Sequence, residues 1–114
     1  MIGEADELFV HQTVDTIDHV ATTDFRFTDR LVFYVHNRPG DVLLMFGLGA
    51  FPNMNTMDGY CLAWRDGVQY NVRFSRELHQ DRHKMDCGPL HVRVIEPLRH
   101  WHVRMDENDY GVAF

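Results

Sequence analysis

From Phe25 onward the chain is written in short runs of β-branched and aromatic residues, broken by turn residues every ten positions or so. Alternation of apolar and polar positions inside such runs marks half-buried strands. The pattern predicts strands near 31–37, 42–50, 57–65, 68–74, 90–95 and 100–106, with a last one beginning at Tyr110. No segment carries an apolar stripe at helical spacing. The polar stretch from Arg76 to Lys84 comes nearest and is expected to be a loop. The expected fold is all-β, an antiparallel meander over residues 25–114. Residues 1–24 alternate poorly, carry Asp6, Glu7, Asp15, Asp18 and Asp24, and are expected to form an irregular lead-in.

Two hairpins can be given a register. Asp66-Gly67 suits a two-residue turn that needs left-handed backbone at both positions. Pairing Arg65 with Val68 then sets Ala63 opposite Tyr70, Cys61 opposite Val72 and Gly59 opposite Phe74, small against large on one packed face. The other face carries Asp58, Tyr60, Leu62 and Trp64 on one strand and Gln69, Asn71 and Arg73 on its partner. Arg73 falls opposite Tyr60 and diagonal to Asp58, where a salt bridge competes with acid catalysis as the role for that carboxylate. In the second hairpin, a four-residue loop Glu96-Pro97-Leu98-Arg99 with a type I turn sets Val94 opposite Trp101 and Val92 opposite Val103. Its outer face becomes His91, Arg93, His100, His102 and Arg104.

The stretch GLGAFPNMNTMDGY, residues 47–60, invites a phosphate-loop reading and fails it. There is no third glycine at dinucleotide spacing, no Lys followed by Ser or Thr, and no helix to offer its N-terminus. Gly47 and Gly49 are expected to serve a bulge, a bend or a close backbone approach at a strand end, before Pro52 and Asn53 turn the chain.

Metal and nucleophile motifs are equally thin. His100 and His102 project together from a strand, but the register puts Arg93 and Arg104 beside them, and neighbouring cations oppose a metal. His79 and His83 are four apart in a segment with no helical face. No G-x-S-x-G occurs, and neither Cys61 nor Cys87 has a catalytic context; both are expected as free thiols, Cys61 acting as a small hydrophobe. No metal and no cofactor are expected.

Composition bounds the rest. With 114 residues, 45% of them apolar and 25% charged, the chain suits one globular domain. A net charge of −6 opposes general nucleic-acid binding, because phosphate contacts need a cationic surface. The longest apolar run, Val42 to Phe51, is half what a membrane helix needs. The acidic start lacks the order of a signal peptide, so the expected location is the cytoplasm.

The phrases GLGAFPNMNTMDGY, VQYNVRFSREL and GPLHVRVIEPLRHWHVRMDEND, in that order, resemble the bacterial AttH-like and carotenoid 1,2-hydratase (hydroxyneurosporene synthase) proteins. The resemblance covers roughly Asp24 to Phe114. It implies a lipocalin-like barrel or half-barrel enclosing an apolar cavity, in proteins longer than this chain, and it matches no catalytic residue of the hydratases. It therefore leaves two macromolecular partners open, a second copy of the chain or a missing C-terminal domain, should the domain be truncated within its last strand.

Three functions follow as expectations. The first is binding of an apolar small molecule, such as a lipid or isoprenoid, with Asp58, Tyr60, Trp64, Asn71 and Arg73 orienting its polar end. The second is a hydratase or isomerase acting on an isoprenoid or polyketide, for which Asp58 is the candidate acid. The third is a structural half-domain that pairs through an exposed strand edge.

Overall fold

A computed structural model describes residues 2–3, 7, 20 and 22–114. Most of the expected lead-in, including Asp6, Asp15 and Asp18, lies outside the described residues. The remainder is all-β. Strands β1 (Asp29–His36), β2 (Val42–Phe51), β3 (Thr56–Arg65) and β4 (Val68–Glu77) form an antiparallel sheet in sequence order. Strands β5 (Asp86–Cys87), β6 (Leu90–Glu96) and β7 (His100–Met105) form a second, three-stranded one. The two sheets do not close into a barrel, so the half-barrel form of the meander is the one realised.

The core lies where the sheets face each other. Phe46, Leu48 and Ala50 from β2, Met57 and Cys61 from β3 and Val72 from β4 meet Cys87, Leu90, Val92 and Met105 from the small sheet, all buried. Phe33 stacks on Phe46 with ring centroids 5.1 Å apart and meets Trp101 of β7 at 5.2 Å, so aromatic contacts tie the layers together. Phe74 sits against two glycines: a Cβ on Gly59 would fall 2.1 Å from its ring, and one on Gly88 would fall 2.8 Å from its Cβ. Leu78 and Met85, from the loop after β4, close one end of this core.

The registers follow the side-chain matching. Arg65 pairs with Val68, Ala63 with Tyr70, Cys61 with Val72 and Gly59 with Phe74, and Asp66 and Gly67 both have positive φ (52° and 77°). Val94 pairs with Trp101 and Val92 with Val103. The turn between them differs from expectation. Glu96 pairs with His100 and Ile95 is left over as a bulge, while Leu98 has φ 59°. Positive φ at the third turn position is the geometry of type II, not type I. The Arg99 N–H to Glu96 carbonyl bond closes it at 3.0 Å.

The strand expected from Tyr110 is not formed. Asn108 donates to the carbonyls of Asp106 (2.9 Å) and Val112 (2.6 Å) and accepts from the Tyr110 N–H (3.0 Å), and Gly111 takes φ 73°. These bonds reverse the chain over the very residues that would begin the strand. Phe114 then exchanges both backbone hydrogen bonds with Met105, at 2.9 and 3.1 Å.

Segment 78–85 is a loop, as its polarity predicts, and its organiser is Arg76. That guanidinium donates to the carbonyls of Glu77, Leu78, Asp81, Lys84 and Asp86. Strand β4 therefore runs past residue 74 to carry the loop's anchor.

Candidate functional site

The larger sheet has one face in the core and one with no layer over it among the described residues. Period 2 and the registers assign the open face. Row by row across β1 to β4 it reads Arg30, Gly49, Asp58, Ser75; then Val32, Gly47, Tyr60, Arg73; then Tyr34, Met45, Leu62, Asn71; and last His36, Leu43, Trp64, Gln69. All five expected site residues, Asp58, Tyr60, Trp64, Asn71 and Arg73, share this face. The charged side chains gather at one end, and the other end sets Leu43 and Trp64 between His36 and Gln69.

Two adjoining hollows occupy the face. The first, about 960 Å³, is bordered by Arg30, Asp58, Tyr60, Asn71 and Arg73. The second, about 590 Å³, is bordered by Tyr34, His36, Leu43 and Trp64. Met45, Leu62 and Gln69 border both, so the two adjoin over the middle of the sheet.

The charged end is built around glycine. Gly47 and Gly49 lie mid-strand in β2 and are regularly paired on both sides, not at a bulge or strand end as expected. A Cβ on Gly49 would stand 2.6 Å from Asp58 Oδ1 and 2.9 Å from the Arg30 guanidinium carbon. A Cβ on Gly47 would stand 2.6 Å from the Leu31 carbonyl oxygen and 3.0 Å from the Tyr60 ring. The pair thus forms a floor over which Tyr60, Arg30 and Asp58 lie flat. Close approach, one of the roles expected for these glycines, is the one they fill.

Arg30 is the residue that sequence reading missed. Its Nη2 donates to Asp58 Oδ2 at 3.0 Å, and its guanidinium lies 5.1 Å from the Phe51 ring centroid. The salt bridge anticipated for Asp58 is therefore with Arg30 rather than Arg73. Gly49 opens the straight path across β2, whereas Arg73 sits one row away. Among the described residues Arg73 has no ion-pair partner and is exposed. Asp58 Oδ1 is enclosed and has no hydrogen-bond partner among the described residues.

Burial pushes the Tyr60 phenol above its ordinary value, with Tyr34 and the Asp58 carboxylate adding to the effect and Arg30 opposing it. Tyr60 is thus held as a neutral hydroxyl able to donate or accept. Gln69 donates to Asn71 Oδ1 at 3.1 Å along the β4 margin, fixing both amides. The two cysteines stand apart from this chemistry. Both are free and buried in the core, where burial pushes each thiol up to about 11, so neither is a ready nucleophile.

The expected histidine pairs are placed on surfaces. His79 meets Glu77 at 2.6 Å, both exposed, and His100 and His102 lie on the outer face of the small sheet. No group of three or more metal-capable side chains converges among the described residues. No helix among them is long and apolar enough to cross a membrane.

Compared with known proteins, residues 2–114 match the family described as "Family of unknown function (DUF8625)". The chain belongs to DUF8625. No curated protein and no solved structure matches it. For this DUF8625 member, the open face and its chemistry are what a functional reading has to stand on.

Proposed function

We propose that the open face of the larger sheet binds an amphiphilic small molecule, an apolar body with one polar end. The observation that carries this reading is the change along the face, from Arg30, Asp58, Tyr60 and Arg73 to Met45, Leu62, Leu43 and Trp64, over adjoining hollows of about 960 and 590 Å³. Small-molecule sites combine an apolar lining with a few polar groups that fix orientation, in volumes of roughly 300–1,000 Å³. Met45 and Leu62 are already half-buried, so covering them supplies only part of the about 1.5–3 kcal/mol that full burial of such a side chain is worth. Arg73, unpaired among the described residues, is free to meet the polar end, and Asn71, whose Oδ1 is held by Gln69, keeps its amide N–H to donate. The resemblance to the AttH-like and carotenoid hydratase proteins would make the body isoprenoid-like or lipid-like.

A hydratase or isomerase reading uses the same face. It asks Asp58 to protonate an alkene, and a carboxylate bridged to Arg30 is arranged as an acceptor. Binding is therefore the preferred reading. The pairing of half-domains finds support in one observation: among the described residues β1 and β4 each have a neighbour on one side only, so the sheet offers two strand edges.

The test is native mass spectrometry of the purified chain, then extraction of any released compound and its titration back against Trp64 fluorescence. A bound amphiphile at fixed stoichiometry, whose signal is lost in Trp64→Phe and whose affinity falls in Leu62→Asp, supports the reading. An empty dimer turns the face or an edge into a protein interface instead. An empty monomer that binds neither a fatty acid nor an isoprenoid alcohol overturns it.

A further inference from the structure

The outer face of the small sheet holds a second cluster, remote from the open face because the core lies between them. Register sets Arg93 opposite His102 and His91 opposite Arg104. Those four side chains border a hollow of about 240 Å³, and no carboxylate contributes to its lining. In a chain of net charge −6 this is a local concentration of cationic and cation-capable groups.

Its charges fall into two sets. Asp106 commits Oδ1 to Arg104 Nε at 2.9 Å and Oδ2 to His91 Nε2 at 2.9 Å. Asp86 approaches His91 Nδ1 at 3.2 Å and Lys84 Nζ at 3.9 Å. The two carboxylates thereby hold His91 and Arg104 in place and are themselves compensated. The side chains of Arg93 and His102, directly opposite each other, have no ion pair or hydrogen bond among the described residues. A planar guanidinium with its donors free, beside an imidazole and with a fixed second guanidinium close by, matches the oxygens of a tetrahedral dianion.

We propose that this hollow binds a phosphate group, free or as the monoester of a small metabolite, with Arg93 and His102 as the primary donors and Arg104, its Nε held by Asp106, as a fixed further donor. The size of the cluster and the acidity of the rest of the chain favour a small dianion over a polynucleotide, which needs an extended cationic track.

The experiment is titration of the isotope-labelled chain with inorganic phosphate, followed by NMR at constant ionic strength set with chloride, and repeated with glycerol phosphate. Saturable shifts confined to the backbone and side chains of β6 and β7 are expected, falling about tenfold or more in affinity in Arg93→Gln. Tighter binding of glycerol phosphate would identify the monoester as the source, and tighter binding of inorganic phosphate the free ion. Arg93 is exposed, so its variant should keep the native spectrum; His102→Gln gives an independent second measurement. The proposal is overturned if neither probe gives a saturable shift, if affinity is unchanged in both variants, or if a short single-stranded oligonucleotide binds the same residues more tightly than either probe.

Discussion

Arg30 and Asp58 join across β2 at 3.0 Å, and the residue beneath their crossing is Gly49. The bridge exists because the intervening strand has no side chain there. A methyl at that position meets the mobile ends of two side chains, while a methyl at Gly47 meets the Leu31 backbone.

The two glycines should therefore respond differently. Gly47→Ala meets the Leu31 carbonyl, a backbone atom that cannot swing aside, and is expected to destabilise by about 1–3 kcal/mol, as overpacking does. Gly49→Ala should fold with a smaller loss but separate Arg30 from Asp58. Urea denaturation of both variants, with the Arg30 side-chain NMR signal as the second readout, checks the contrast.

The bridge itself should contribute little to folding. Its side chains are 39% and 40% exposed, and pairs of that kind are worth about 0.2–1 kcal/mol. A double-mutant cycle on Arg30→Ala and Asp58→Asn should return a coupling within that range. A coupling several times larger would make the pair a structural element and weaken its assignment to a site.

If the face also catalyses, Asp58→Asn should abolish turnover of an isoprenoid substrate while leaving its affinity within a few-fold, since geometry is kept and only the proton donor is lost. Retained turnover would remove Asp58 from catalysis and leave binding as its role.

Arg76 makes five contacts with backbone carbonyls and so should govern the loop over residues 78–85. Arg76→Ala is expected to cost about 2 kcal/mol or more, given what hydrogen bonds to charged groups contribute. Arg76→Lys should recover little, because an ammonium cannot reproduce the planar fork. Hydrogen exchange should show loss of protection first at the Leu78, Asp81 and Lys84 amides.

The buried thiols set an alkaline limit. Each has its value raised in the fold from 9.0 to about 11, so the folded chain holds protons that the unfolded chain has released. Their contribution to stability is full below pH 9 and is lost as pH climbs through about 11. Denaturation midpoints measured below and above pH 9 should fall on the alkaline side, and less steeply in Cys61→Ala or Cys87→Ala.

What could be read from sequence was whatever one hairpin determines by itself. Asp66-Gly67 demands positive φ at both positions, and this fixes β3 against β4; Gly59 against Phe74 then follows from the register, and their sizes agree with it. That hairpin supplied Asp58, Tyr60, Trp64, Asn71 and Arg73. Arg30 was illegible because its place depends on how β1 pairs with β2, and the loop between them, Asn37 to Asp41, does not specify a register by composition. There Asn37 Oδ1 accepts from the Gly40 and Val42 amides, a closure visible only in three dimensions. The turn at Leu98 and the reversal at Asn108 were misread for a related reason. Each depends on a backbone angle or side-chain bond that an aliphatic residue or a lone asparagine does not announce.

Gly59, Cys61, Val72 and Phe74 face inward from β3 and β4, while Asp58, Tyr60, Leu62, Asn71 and Arg73 face outward from the same two strands. Alternation separates the residues that hold the domain together from those that would meet a ligand, although they are neighbours in sequence. Selection can therefore rewrite the outward set while the inward set stays constant. A library confined to the outward positions would vary the chemistry of the open face on an unchanged scaffold.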